Sequence, residues 1–126
     1  RDGAGWPVGI ENPATPSREL VQVLTLRDQA LSTSGNYRNQ VTVAGRAVGH
    51  LVDPRTGRPA DGPLAAVSVV ARECTHSSAL ATGLFVLGAD AGPALATRER
   101  LAALFLVREG NTLRARSTPA FADLAP

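Results

Sequence analysis

"LAAVSVVARECTHSSALATGLFVLG", Leu64 to Gly88, holds the change of period on which the fold turns. Its first part, LAAVSVVARE, is a mostly apolar run of strand length. Beyond it the spacing becomes helical. Leu80, Leu84 and Leu87 recur at intervals of three and four and form one apolar stripe, while Ser78 and Thr82, four apart, lie on roughly the opposite face. Thr75 or Ser77 is suited to cap the start of this helix, and Gly88 to end it. Two hydroxyls therefore point together near a helix start, either to cap it or to face a ligand.

Working outward, "DAGPALATRER" predicts a second helix, with Asp90 as cap, Pro93 near the first turn and charged residues in the last. "LAALFLVREGNTLRARST" reads as a strand, a turn at Glu109 to Asn111 and a returning strand. Upstream, "WPVGIENP" is a short strand stopped by Pro13, and "LVQVLTLRDQALSTSG" one or two strands with a turn near Asp28. "VTVAGRAVGHLVDP" is a hairpin of Val41 to Val43 and Ala47 to Val52, turning at Ala44-Gly45. "DPRTGRPADGP", Asp53 to Pro63, is too rich in proline and glycine for regular structure and reads as an ordered loop. The order predicts an α+β domain: a mainly antiparallel sheet covered on one side by two helices.

The 126 residues, 44% apolar and 19% charged, suit one globular domain with a modest core. No apolar run approaches the roughly 18 residues of a membrane span. The chain begins at Arg1 and contains no Met, as expected of a processed product or a piece of a longer protein. A net charge of +2 and scattered aromatics give no basic, aromatic platform, which argues against nucleic acid as a partner. Cys74 is alone, so no internal disulfide forms, and it reads as a buried thiol.

Several segments carry chemistry. His50 ends a strand beside the Pro/Gly loop; from position alone it reads as a half-buried strand-end histidine rather than a base. "DPRTGRP" offers an anion Arg55, Arg58, Thr56 and the amides around Gly57, or is simply a rigid turn. In "STSGNYR", Gly35 permits positive φ, hydroxyls converge, and Tyr37 fills the core or stacks on a ring. The helix start before Ser78 and Thr82 favours anions through its free N–H groups, and as bare chemistry suits phosphate better than a metal ion.

Together, "TSGNYR", "GHLVDPRTGRP", "SSALATGLFVLG" and "LAALFLVREG" occur in the order and spacing of the ApbE family, the FAD:protein FMN transferases. The chain resembles that family from about Trp6 to Phe121. The resemblance implies that residues 1–126 are the C-terminal portion of an ApbE-like, T-fold-like flavin-binding domain. The N-terminal half of the family fold, absent from this chain, is then expected as a separate or cleaved chain. It further implies FAD as substrate, bridged by Mg²⁺ across its pyrophosphate. A threonine hydroxyl of a flavin-accepting protein attacks the phosphorus nearer riboflavin and expels AMP.

By the same resemblance His50 is the base for that threonine, and Ser34, Gly35, Asn36, Tyr37, His50, Asp53, Arg55, Thr56 and Gly57 contact the dinucleotide. Thr82 matches a metal-binding threonine, while Ser78 stands where the family has aspartate, so the charged ligand is missing. Glu73 is a candidate replacement at a different spacing. The resemblance therefore leaves three outcomes: a transferase with a weakened metal site, a non-catalytic FAD or nucleotide binder, and a structural partner of an active paralogue. By family the acceptor and this chain belong on the outer, membrane-associated side of a bacterium.

Overall fold

The structure, a computed structural model, describes residues 3–124. Two strands dominate the core, because they are the two longest nearly continuous apolar runs and are covered on both faces. These are β8 (Leu64–Ala71) and β9 (Ala102–Glu109). The other strands are β1 (Trp6–Glu11), β2 (Leu20–Leu26), β3 (Ala30–Gly35), β4 (Gln40–Val43), β5 (Arg46–Gly49), β6 (Val52–Asp53), β7 (Arg58–Pro59) and β10 (Thr112–Ser117), with helices α1 (Cys74–Arg98) and α2 (Pro119–Ala122). The central sheet runs β10-β9-β8-β3 and every pairing is antiparallel.

Alternation along β8 and β9 sends side chains to two separate cores. On one face Val67, Val69, Phe105 and Val107 meet Ala81, Leu84, Phe85 and Ala96 of α1. On the other, Ala66, Val70, Leu104 and Leu106 meet Ile10, Leu24 and Leu26 of the β1–β2 hairpin and Phe121 of α2. The α+β class with an antiparallel sheet agrees with expectation, and both expected helices lie on one face. The sheet's second cover, a hairpin and a short helix capped by Thr118, was not foreseen. Neither element has a long periodic signal in the sequence.

The two expected helices are continuous except at Gly88, where φ is 90° and ψ −178°, a conformation almost confined to glycine. By length and hydropathy α1 would cross a membrane. The bend at Gly88 and the packing of Ser77, Ala81, Leu84, Phe85, Gly92 and Ala96 against the sheet make it a core helix instead.

Local readings need correction at several places. The cap of α1 is Glu73, which makes no side-chain capping bond, and neither Thr75 nor Ser77 caps it. Ser77 is fully buried inside the helix, facing the sheet. Cys74 is exposed rather than buried, because it occupies the first turn of α1 at the sheet's edge. The fully buried residues of the helix face follow Ser77, Ala81, Leu84 and Phe85, with Leu80 and Leu87 only packed against that core. The hairpin turn at Ala44-Gly45 forms with positive φ at both residues, but its second strand stops at Gly49. Val52-Asp53 instead pairs with Arg58-Pro59, so the proline-rich loop contains a small ladder of its own.

Candidate active site

β3 and α1 meet through hydroxyls. Ser32 and Ser34 share one side of β3, and that side faces the helix. Ser32 Oγ lies 2.7 Å from Ser77 Oγ, and Ser34 Oγ 2.8 Å from Thr82 Oγ1. The spacing is metric: two strand residues rise about 6.8 Å and five helical residues about 7.5 Å, so the two pairs stay in step. Ser77 spends its one proton on the Cys74 carbonyl at 3.0 Å, so Ser32 donates to Ser77.

The second pair opens into a cleft of about 200 Å³ lined by Thr33, Ser34, Gly35, Tyr37, Arg38, Asn39, His50, Leu51 and Thr82. Thus Ser34, Gly35, Tyr37, His50 and Thr82, scattered over the sequence, converge. Tyr37 does two things at once, packing against the second core and presenting its ring to the cleft. Gly35 is needed for close approach rather than for positive φ: a Cβ there would lie 2.7 Å from the Ala65 carbonyl oxygen. Asn36 is half-buried just behind, with its amide N–H donating to Ala65 O at 3.3 Å.

His50 Nδ1 is 3.1 Å from the Asn39 carbonyl oxygen. A carbonyl only accepts, so Nδ1 carries the hydrogen and the neutral ring keeps its lone pair at Nε2. Asn39 therefore prepares the imidazole as a proton acceptor. Sequence reasoning missed Asn39 because a backbone carbonyl leaves no signature in side-chain type.

The remaining expected contacts are arranged differently. Asp53 receives a two-pronged bond from Arg55, Nε to Oδ1 at 3.0 Å and Nη2 to Oδ2 at 2.9 Å, and the Arg55 amide at 2.9 Å. The guanidinium bond, aided by the amide, holds the Asp53 carboxyl below its ordinary range, and the same bond raises Arg55. The Thr56 and Gly57 amides donate to Asp53 O at 3.2 and 2.8 Å, and the Arg58 amide to Thr56 Oγ1 at 3.2 Å. Those amides are spent within the turn, so the expected anion cradle is not formed there. Arg55 instead borders an apolar groove of about 660 Å³ with Val52, Leu80, Val86 and Leu87, which meets the cleft at Thr82.

Nor does the helix start reach the cleft. Thr82 lies eight residues into α1, about 12 Å along its axis, whereas the dipole's influence is confined to the first turn. Ser78 is exposed and lines neither the cleft nor the groove. Glu73 is about 13 Å from Thr82 along the helix and faces His76 at 3.8 Å. Among the described residues no group of three or more acidic, histidine or cysteine side chains is placed to hold a metal.

The model of the ApbE family matches residues 1–105. The chain belongs to the ApbE family. It is 33% identical over 121 residues to the FAD:protein FMN transferase of Vibrio cholerae, covering 96% of this chain and 36% of that protein. The Haemophilus influenzae FAD:protein FMN transferase is 34% identical over 124 residues, covering 98% and 36%. Among solved structures, the apo flavinyl transferase ApbE of Pseudomonas stutzeri superposes with a TM-score of 0.81 at 40% identity, over 98% of this chain and 38% of that one. The Thermotoga maritima ApbE protein gives 0.83 at 25% identity, over 98% and 39%. The chain therefore spans little more than a third of the length of the ApbE relatives it matches.

Proposed function

We propose that this chain is the part of a FAD:protein FMN transferase that supplies its proton acceptor. The observation that carries the reading is the meeting of His50 and Thr82 on one cleft, with Nδ1 tied to Asn39 O and Nε2 left with its lone pair. At about 200 Å³ the cleft is below the 300–1,000 Å³ of a pocket for a whole small-molecule ligand. It suits the reacting diphosphate end of FAD, with the rest of the dinucleotide held by the other two thirds of the fold. The assembled protein, in this reading, works on the outer face of a bacterial membrane.

In this reading Nε2 takes the proton of an acceptor threonine hydroxyl as its oxygen forms a bond to the phosphorus nearer riboflavin. The phosphorus–oxygen bond toward adenosine monophosphate breaks, and AMP leaves with the bridging oxygen. Ser34 orients Thr82 toward the diphosphate through their 2.8 Å bond. Arg38, whose guanidinium is 5.9 Å from the Tyr37 ring centroid, places positive charge at the cleft rim while paired with Glu11.

The oxygens this chain offers around Thr82 are neutral hydroxyls, and Mg²⁺ is usually held through one or two carboxylates as well as phosphate and water. The acid in the adjoining turn, Asp53, is bonded to Arg55, and Glu73 lies about 13 Å along the helix from Thr82. This donor set does not by itself fit the ion, which favours a second reading, FAD binding without transfer.

The two readings part in one experiment. The chain is mixed with FAD, Mg²⁺, a threonine-bearing flavin-accepting domain, and the remaining two thirds of the V. cholerae relative. Transfer gives the acceptor the mass of FMN and releases AMP in equal amount. Bound FAD with neither product establishes the second reading.

A further inference from the structure

The geometry points to Arg108 as a positioning residue for His50, acting through Asn36. Arg108 reaches from β9, on the far side of β8, to the loop after β3. Its Nη1 donates to Leu64 O at 3.1 Å and its Nη2 to Asn36 Oδ1 at 3.1 Å, both half-buried. Among the described residues it has no carboxylate partner. A permanent charge is thus spent on two neutral acceptors, an expensive arrangement unless it fixes something in place.

Asn36 is the link between Arg108 and the histidine. Its backbone carbonyl accepts from Gln40 Nε2 at 2.7 Å, closing the loop that presents the Asn39 carbonyl. Its Cβ lies 2.8 Å from where a Cβ on Gly49 would stand, so it packs on the residue just before His50. Asn36 therefore touches both sides of the His50–Asn39 bond: the loop bearing the acceptor and the backbone bearing the ring. Held by Arg108, it keeps acceptor and ring in register, and so keeps the hydrogen on Nδ1 and the lone pair on Nε2.

The inference rests on the proposed role of His50 as base, but its test reads the ring directly and requires no transfer. The sequence has two histidines, and exposed His76 is an internal reference. Nitrogen-15 NMR of uniformly labelled chain at about pH 8.5, two units above the ordinary histidine value, reports which ring nitrogen bears hydrogen. The wild-type chain is expected to show Nδ1 protonated and Nε2 not. Asn36→Ala keeps the Cβ contact with Gly49 and the carbonyl used by Gln40 while removing the acceptor of Arg108. It is expected to turn His50 into an exchanging mixture of tautomers and leave His76 unchanged. Arg108→Met is expected to do the same, and Arg108→Lys to restore the wild-type tautomer in part.

If Arg108→Met does not fold, Asn36→Ala, which leaves the bond to Leu64 intact, decides the matter. An unchanged His50 tautomer in folded Asn36→Ala overturns the role of Arg108. A wild-type ring protonated at Nε2 instead overturns the base assignment itself, so the two failures are distinguishable.

Discussion

At the scale of single residues, the site depends on which lone pairs are left free. His50 is oriented by a carbonyl and keeps Nε2; Thr82 is oriented by Ser34 and lines the same cleft. His50→Ala is expected to lower FMN transfer in the assembled protein by about 10²–10⁴-fold, the usual worth of a general base. FAD affinity should change little if the ring acts as the proposed proton acceptor; equal losses in binding, by fluorescence titration, would contradict this. Ser78 precedes Thr82 by one turn and is exposed. Helical side chains lean toward the N-terminus, so Thr82 leans toward position 78. Ser78→Asp is expected to tighten Mg²⁺ binding in the assembled protein by about tenfold, because added carboxylate charge raises affinity for hard cations. Titration calorimetry giving equal affinities would refute it. His50 and Thr82 were legible as motif positions. Asn39 and Arg108 were not, since their roles follow from a backbone carbonyl and from a contact across 72 residues.

Among the elements, α1 and the β6–β7 turn show how local chemistry sets geometry. Gly88 bends α1, and nothing lies within 4 Å of a Cβ built there. Gly88→Ala therefore costs backbone strain alone, about 1–3 kcal/mol. Chemical denaturation should show that loss, with the cleft residues' NMR shifts unmoved. In the β6–β7 turn the Asp53 carboxyl is held below its ordinary value, chiefly by the Arg55 guanidinium. A depressed carboxyl stabilises the fold fully above its unfolded value and loses that contribution as pH falls through the folded one. The melting-temperature difference between wild type and Asp53→Asn should thus hold steady from neutrality to about pH 5 and shrink below about pH 4. A difference that grows in acid would show the pair plays another part. A break at Gly88 was readable, because glycine takes that φ and ψ at least cost; that the two helical runs join into one bent helix was not. The ladder inside "DPRTGRP" was not, because two-residue strands have no period to detect.

For the whole molecule, the decisive feature is a four-stranded sheet with two cores, one beneath α1 and one beneath the β1–β2 hairpin. The cleft opens at one edge of this sandwich, where β3 meets α1, next to an apolar groove. Because the chain spans 36% of its V. cholerae relative, we expect it alone to move no flavin onto an acceptor, and the remaining two thirds of that relative to enable transfer. Mass spectrometry of the acceptor checks both arms; flavin transfer by the chain alone would show the cleft to be sufficient.

Periodicity and punctuation in the sequence determined the strands β8 and β9 and two helical runs broken at Gly88, because each rests on interactions between near neighbours and on the conformations open to glycine and proline. The tertiary structure alone decided which hydroxyls meet and that an arginine on β9 reaches the loop beside His50. These depend on atoms brought within hydrogen-bond distance by packing of segments far apart in the chain, and no local pattern encodes such distances.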